Sequence, residues 1–112
     1  MTSDHAATLE ALLRDADERL ARLAADERTL LLDRADATAD DEHDPEGSTL
    51  SGEWQRVDQL RRGIEGERDD IAAALTRVAE GTYGLCTVCG RPIAAGRLEV
   101  RPTAATCVAC AV

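Results

Sequence analysis

The sequence contains few aromatic side chains: Trp54 and Tyr83 are the two in 112 residues, and phenylalanine is absent. Aromatic side chains supply much of the buried area in a conventional globular core, so such a core is hard to build here. The sequence also has no apolar run close to the ~20 residues that cross a bilayer, and no N-terminal apolar stretch typical of a signal peptide. We therefore expect a soluble, cytoplasmic protein of at most one ordinary domain.

Positive charge is scarce as well. The 22 acidic side chains outnumber the 13 basic ones, which gives a formal net charge of -9. A protein with this charge repels the phosphate backbone of nucleic acids. We therefore expect a protein partner and no sequence-specific binding to DNA.

Two long stretches follow the heptad pattern of a coiled coil. The first seam consists of Leu9, Leu13, Ala16, Leu20, Leu23, Leu30 and Ala37, with Glu27 and Arg34 in the remaining seam positions. The second consists of Leu50, Val57, Ile64, Ile71 and Val78, at intervals of seven. Two seams separated by a turn predict a mainly α protein with a long antiparallel helical hairpin. We place the hairpin at residues 4–80 and its tip at about residues 38–48.

The tip is strongly acidic, since the stretch DDEHDPEG holds five carboxylates in eight residues. A turn needs only one or two Asp or Gly residues to form. One interpretation is a solvated loop in which Asp44 caps the second helix, followed by Pro45 at the first helical position. The other is that the excess charge has a function.

Four cysteines, the only ones in the chain, lie in the C-terminal segment at residues 81–112. Cys86 and Cys89 form one C-x-x-C pair, and Cys107 and Cys110 form a second after 17 intervening residues. This spacing is typical of a structural zinc site, in which four thiolates fill a tetrahedral shell and leave no open position for substrate. We therefore predict a small four-cysteine zinc finger with one structural Zn²⁺.

Two other uses of the cysteines fit the sequence less well. A pair of disulfides is typical of secreted chains, and no signal peptide is evident here. A thioredoxin-like redox site requires a βαβ context that coiled-coil helices do not supply. No nucleophile and base constellation accompanies the cysteines, so we predict that the protein is not an enzyme.

The segments GTYGLCTVCGRPI and RLEVRPTAATCVAC resemble the C-terminal zinc finger of the DksA/TraR family of bacterial transcription regulators. The preceding hairpin also resembles the architecture of that family. The resemblance implies a regulator that binds RNA polymerase, inserts its hairpin into the secondary channel and modulates initiation near the active centre. A zinc-ribbon module that binds nucleic acid is the alternative, because Arg91, Arg97 and Arg101 give the finger a local positive charge.

The family resemblance also suggests roles for individual residues. The acidic pair at the family's hairpin tip, usually D-x-x-D, corresponds to Asp41 and Asp44, with Glu42 and Glu46 beside them. Arg101 matches a family arginine near the site of the alarmone guanosine tetraphosphate. In helix 2, however, Asp70 lies in the region where alarmone-responsive members have a basic residue. We therefore expect Arg101 to contact a nucleotide or a partner, but alarmone binding to be weak or absent.

Overall fold

The computed structural model describes the backbone of residues 2–40 and 47–111, and the side chains of residues 4–33 and 52–111. The described part contains three helices: α1 (Thr2–Asp40), α2 (Gly47–Glu80) and α3 (Ala95–Val100). No strand is present in these ranges, although Leu85 and Pro92 form one isolated antiparallel bridge. The prediction of a mainly helical protein with two long helices is confirmed. No helix of the described residues has the length and apolarity needed to cross a membrane.

Contacts divide the chain into two compact units, Met1–Asp15 with Glu67–Val112, and Ala16–Gly66. In the second unit, α1 and α2 run antiparallel, because residues later in α1 meet residues earlier in α2. Leu23 lines one cavity together with Leu60 and Ile64, whereas Leu30 lines another together with Val57. Leu23, Leu30, Val57 and Ile64 belong to the two predicted seams, whereas Leu60, three residues after Val57, is half exposed.

An ion-pair network lies on one side of the seam in this second unit. The Arg61 guanidinium is 3.8 Å from the Glu27 carboxylate of α1 and 3.7 Å from Glu65, and it also pairs with Asp58. The hydrogen bond and charge of Asp58, followed by the charge of Glu27, raise the pKa of Arg61 above its ordinary value. Glu27 therefore occupies its seam position as a paired charge.

The first unit has its own small helical core. Leu9 and Ala74 are fully buried, and Ile71 is nearly so. Helix α2 ends at Glu80, and Gly81 follows with a φ of +78°. The amides of Thr82 and Gly81 donate to the carbonyls of Arg77 and Val78, at 2.8 and 3.2 Å. These two bonds form a Schellman cap, in which glycine adopts the left-handed conformation at the least steric cost.

Candidate metal centre

The first pair of cysteines lies on a tight turn between two short extended segments. The Ile93 amide donates to the Gly84 carbonyl at 2.7 Å, and the Cys86 amide donates to the Arg91 carbonyl at 2.8 Å. At the turn itself, the Gly90 amide returns to the Cys86 carbonyl at 2.9 Å. Gly90 has a φ of +77°, a conformation that glycine adopts readily. The turn allows both sulfurs of the pair to approach one point.

The second pair repeats this arrangement. The amides of Cys110 and Ala111 both donate to the Cys107 carbonyl, at 3.1 and 2.9 Å. A bond of 2.9 Å from the Thr87 amide to the Ala105 carbonyl joins the two turns. The backbone therefore fixes the position of each cysteine pair relative to the other.

The four sulfur atoms converge on a site for a single metal ion. All four lie within 4.8 Å of one another, and the sulfurs of Cys89 and Cys107 are 3.8 Å apart. A tetrahedral zinc site with Zn–S bonds of about 2.3 Å has its sulfurs about 3.8 Å apart. A disulfide would need a separation of about 2.05 Å, and the four cysteines are free thiols. The donor set and its spacing therefore fit zinc.

The pKa values of the thiols also indicate a site that a cation would stabilise. Hydrogen bonds from the backbone at Cys89 and then at Cys107 lower the pKa of the Cys86 thiol to about 6. The neighbouring sulfurs, Cys107 first, raise the pKa of Cys110 to about 12. Four thiols this close resist full ionisation because their charges repel, and a divalent cation removes that repulsion. Zinc binding must therefore release protons.

A small apolar cluster supports the cysteines. Cys86, Ile93, Leu98 and Ala104 are buried together, and Tyr83, Cys107 and Cys110 pack against them. Leu98 comes from α3, whose six residues lie between the two cysteine pairs. Four buried residues are few for a stable core, which is consistent with small domains that depend on a metal for folding.

Three side chains of the first unit hold the loop after α3 by hydrogen bonds to its carbonyls. The Tyr83 hydroxyl donates to Pro102 at 2.7 Å. The Arg77 guanidinium of α2 donates to Thr103 at 3.3 Å, and Arg97 of α3 donates to Thr106 at 3.0 Å. These bonds place Cys107 and Cys110 relative to the end of α2.

Tyr83 also contacts the first turns of α1, since its ring lies 4.8 Å from the His5 ring, tilted by 44°. The roles of His5, Arg77 and Tyr83 were not predictable from the sequence pattern. A side chain that bonds to a distant backbone carbonyl has no repeating sequence pattern. The position of Tyr83, two residues after the helix-ending Gly81, was the one available signal.

Arg101 and Asp70, singled out in the sequence, are exposed residues of the same unit. Arg101 follows α3 directly, and its backbone amide donates to the Arg97 carbonyl at 2.7 Å. Asp70 is exposed on α2. The acidic residues assigned to the hairpin tip, Asp41, Glu42, Asp44 and Glu46, lie outside the described residues.

Comparisons with known proteins identify the finger. Residues 81–112 match the prokaryotic dksA/traR C4-type zinc finger. A segment of 34 residues, 30% of this chain, is 56% identical to the RNA polymerase-binding transcription factor DksA of Caulobacter vibrioides strain NA1000 / CB15N. The DksA of strain ATCC 19089 / CIP 103742 / CB 15 matches to the same extent. The match spans 24% of the length of these relatives.

The fold is similar to a solved structure over nearly the whole chain. The transcription factor DksA2 from Pseudomonas aeruginosa superposes with a TM-score of 0.81 at 24% identity, over 96% of this chain and 78% of that one. The site built by Cys86, Cys89, Cys107 and Cys110 takes one structural Zn²⁺. The resemblance to the DksA/TraR family is therefore confirmed: residues 81–112 belong to that family's C4-type zinc fingers, in a chain with the fold of a DksA protein.

Proposed function

We propose that this chain is a transcription regulator that binds RNA polymerase. The observation that carries the proposal is the DksA2-like fold over 96% of the chain, together with a finger that is 56% identical to a DksA described as RNA polymerase-binding. The net charge of -9 supports a protein partner. The protein acts by binding and not as an enzyme, because a shell of four thiolates leaves zinc no open position for a substrate.

In the proposed mode of action, the hairpin enters the secondary channel and its tip approaches the active centre of the polymerase. The carboxylates of Asp41 and Asp44, with Glu42 and Glu46 beside them, then act electrostatically on the catalytic Mg²⁺ and nearby cations. The hairpin at residues 4–80 supplies the reach and the finger at residues 81–112 supplies a second contact surface. Zinc, when bound, keeps that surface folded.

A nucleic-acid-binding zinc ribbon receives less support than polymerase binding. Of the three finger arginines, Arg97 is half buried and donates to the Thr106 carbonyl. Its role is therefore structural, which leaves Arg91 and Arg101 exposed to a partner, while Glu99, of opposite charge, is exposed as well. Such a small positive surface cannot offset the repulsion between a protein of net charge -9 and a phosphate backbone.

Alarmone binding is proposed to be weak. Arg101 is exposed and available to a phosphate or to a carboxylate of a partner. Asp70 is also exposed and adds a negative charge where alarmone-responsive relatives have a cation. We expect transcription assays with and without guanosine tetraphosphate to give the same regulation; strong synergy that Arg101→Ala abolishes would contradict this.

Equilibrium binding to core RNA polymerase tests the proposed function. The full zinc-loaded chain is immobilised, and polymerase is titrated over it at physiological salt, with duplex DNA titrated in parallel. We expect saturable binding of polymerase and none of DNA. Binding of DNA that falls steeply with salt, without binding of polymerase, would favour the zinc ribbon instead.

A further inference from the structure

The loop between α3 and the second cysteine pair, residues 101–106, contains no helix or strand and is held by hydrogen bonds to its carbonyls. The carbonyls of Pro102, Thr103 and Thr106 accept bonds from side chains, and the Ala105 carbonyl accepts one from the Thr87 amide. The turn of the first cysteine pair is closed by bonds between backbone groups around Cys86. The second cysteine pair therefore depends more on side-chain contacts than the first pair does.

Arg97 contacts both ends of this loop. Its backbone carbonyl accepts a bond of 2.7 Å from the Arg101 amide, at the end of α3. Its side-chain Nε donates to the Thr106 carbonyl at 3.0 Å, nine residues further along the chain. Arg97 is half buried, so this bond is stronger than it would be in water. Of the three side chains that bond to the loop, Arg97 reaches the carbonyl nearest to a cysteine.

The Thr106 carbonyl belongs to the peptide group that leads into Cys107. A peptide group is planar and rigid, so a bond that fixes its oxygen also fixes the direction of its N–H and the position of the Cys107 Cα. The N–H of this peptide group makes a hydrogen bond to the Cys86 sulfur. One peptide group thus joins Arg97, at its oxygen, to a cysteine of the first pair, at its nitrogen.

The positive charge of Arg97 strengthens the bond to the Cys86 sulfur. A cationic donor at the carbonyl oxygen draws electron density out of the peptide group, which makes its N–H a better donor. Hydrogen bonds that follow one another in a chain reinforce each other in this way. The Cys86 sulfur also accepts a bond from the backbone at Cys89, and that peptide group lies within the first turn.

We propose that Arg97 is a positioning residue of the zinc site. It acts through the peptide group between Thr106 and Cys107, which holds the Cys107 sulfur at the metal and bonds to the Cys86 sulfur. Outer contacts of this kind fix the direction of metal ligands. Arg77 bonds to Thr103 at 3.3 Å, farther along the chain from Cys107, and has the smaller effect. This role of Arg97 is independent of polymerase binding.

Arg97→Met tests the proposal in the full chain, because methionine keeps an unbranched apolar side chain and removes the donor. Arg91→Met makes the same change at an exposed arginine of the finger and serves as the matched control. Circular dichroism verifies that the long helices of each variant remain folded. Zinc affinity is measured by competition with a chromophoric chelator.

We expect Arg97→Met to weaken zinc binding by about tenfold or more, and Arg91→Met to stay within about twofold of the parent. Arg77→Met should fall between the two. No loss of affinity in Arg97→Met would overturn the proposal. Equal losses in Arg97→Met and Arg91→Met would also overturn it, because they would show a general effect of positive charge near the thiolates.

Amide proton shifts of the zinc-loaded protein separate positioning from a loss of stability. The backbones at Cys107 and Cys89 both bond to the Cys86 sulfur, and the peptide group of Cys107 is the one bonded to Arg97. In Arg97→Met at saturating zinc, we expect the Cys107 amide proton to move upfield while that of Cys89 stays in place. Weaker zinc binding with both amide protons unchanged would show that Arg97 stabilises the finger without positioning its ligands, and would overturn the proposal.

The parent protein provides a measurement that does not depend on the folding of a variant. The Nε–H of Arg97 is hydrogen-bonded in a half-buried position, whereas Arg91 is exposed. In the zinc-loaded parent we expect the Arg97 Nε–H to exchange with solvent about tenfold more slowly than the Arg91 Nε–H. Equal exchange rates would show that the bond to Thr106 is absent and would overturn the proposal.

Discussion

The Tyr83 hydroxyl donates a hydrogen bond of 2.7 Å to the Pro102 carbonyl, joining the loop after α2 to the loop after α3. The same ring contacts His5 of α1 at 4.8 Å. One side chain thus connects the first turns of α1 to the finger. Because Tyr83 also packs against the buried cluster around Cys86, its loss affects the finger through both contacts.

Tyr83→Phe removes the hydroxyl and keeps the ring. We expect the first unit to lose about 1 kcal/mol of stability, the usual net value of one hydrogen bond, with the Pro102 carbonyl free to bind water. Thermal unfolding and zinc competition against a chromophoric chelator measure the change. Tyr83→Leu, which removes the ring as well, should cost more; equal effects would show that the hydroxyl contributes nothing.

Ionisation of Tyr83 should lower the stability of the folded protein at alkaline pH. Burial raises the pKa of Tyr83 above its ordinary value, partly opposed by Arg77. The folded protein therefore holds this proton more tightly than the unfolded chain does, so the contribution is fully present below a pH of about 10 and declines as pH rises above it. Unfolding of Tyr83→Phe should lack this component, whereas an identical alkaline profile in parent and variant would contradict it.

The zinc finger was the most predictable part of the molecule from sequence. The spacing of its four cysteines requires two turns that face one ion, and the sulfurs converge within 4.8 Å. The contacts that hold the finger to the helices were not predictable, because Arg77 and Arg97 bond to backbone carbonyls. Any exposed arginine could make such a bond, so the residue type carries no signal.

Removal of zinc should unfold the finger. Its cluster of four buried residues cannot replace a metal contribution on the order of 10 kcal/mol. We expect one zinc per chain by elemental analysis, zinc release as pH falls because protons compete for the thiolates, and survival of much of the helical circular dichroism after chelation. Metal-free purified protein with disulfide-bonded cysteines would refute the assignment.

The burial of the hairpin's seam residues was predictable from sequence, whereas the burial of the residues beside the seam was less so. Leu9, Ile64 and Ile71 are buried as the heptad pattern predicts. Leu60, three residues after the seam residue Val57, is half exposed because two helices alone cannot cover both flanks of a seam. A heptad pattern gives the direction of a side chain, but the number of helices around it determines its burial.

Glu27 offers a test of the ion-pair network in the second unit. Its carboxylate lies at a seam position and pairs with Arg61 at 3.8 Å. Exposed ion pairs contribute little to stability, whereas leucine at a seam position buries apolar area. Glu27→Leu should therefore raise the midpoint of thermal unfolding by a few degrees, with Asp26→Leu as the control at the neighbouring exposed position. A lower midpoint for Glu27→Leu would show that the network stabilises the hairpin.

The most direct test of the proposed regulation is transcription initiation with Asp41→Asn/Asp44→Asn. This double substitution removes two charges and keeps a residue that caps helices well at position 44. Asp69→Asn/Asp70→Asn makes the same change at two exposed carboxylates of α2. Polymerase binding by both variants should match the parent, because a few exposed charges contribute little affinity. We predict that the tip variant loses most of its effect on initiation while the α2 variant retains it; full regulation by the tip variant would contradict the account.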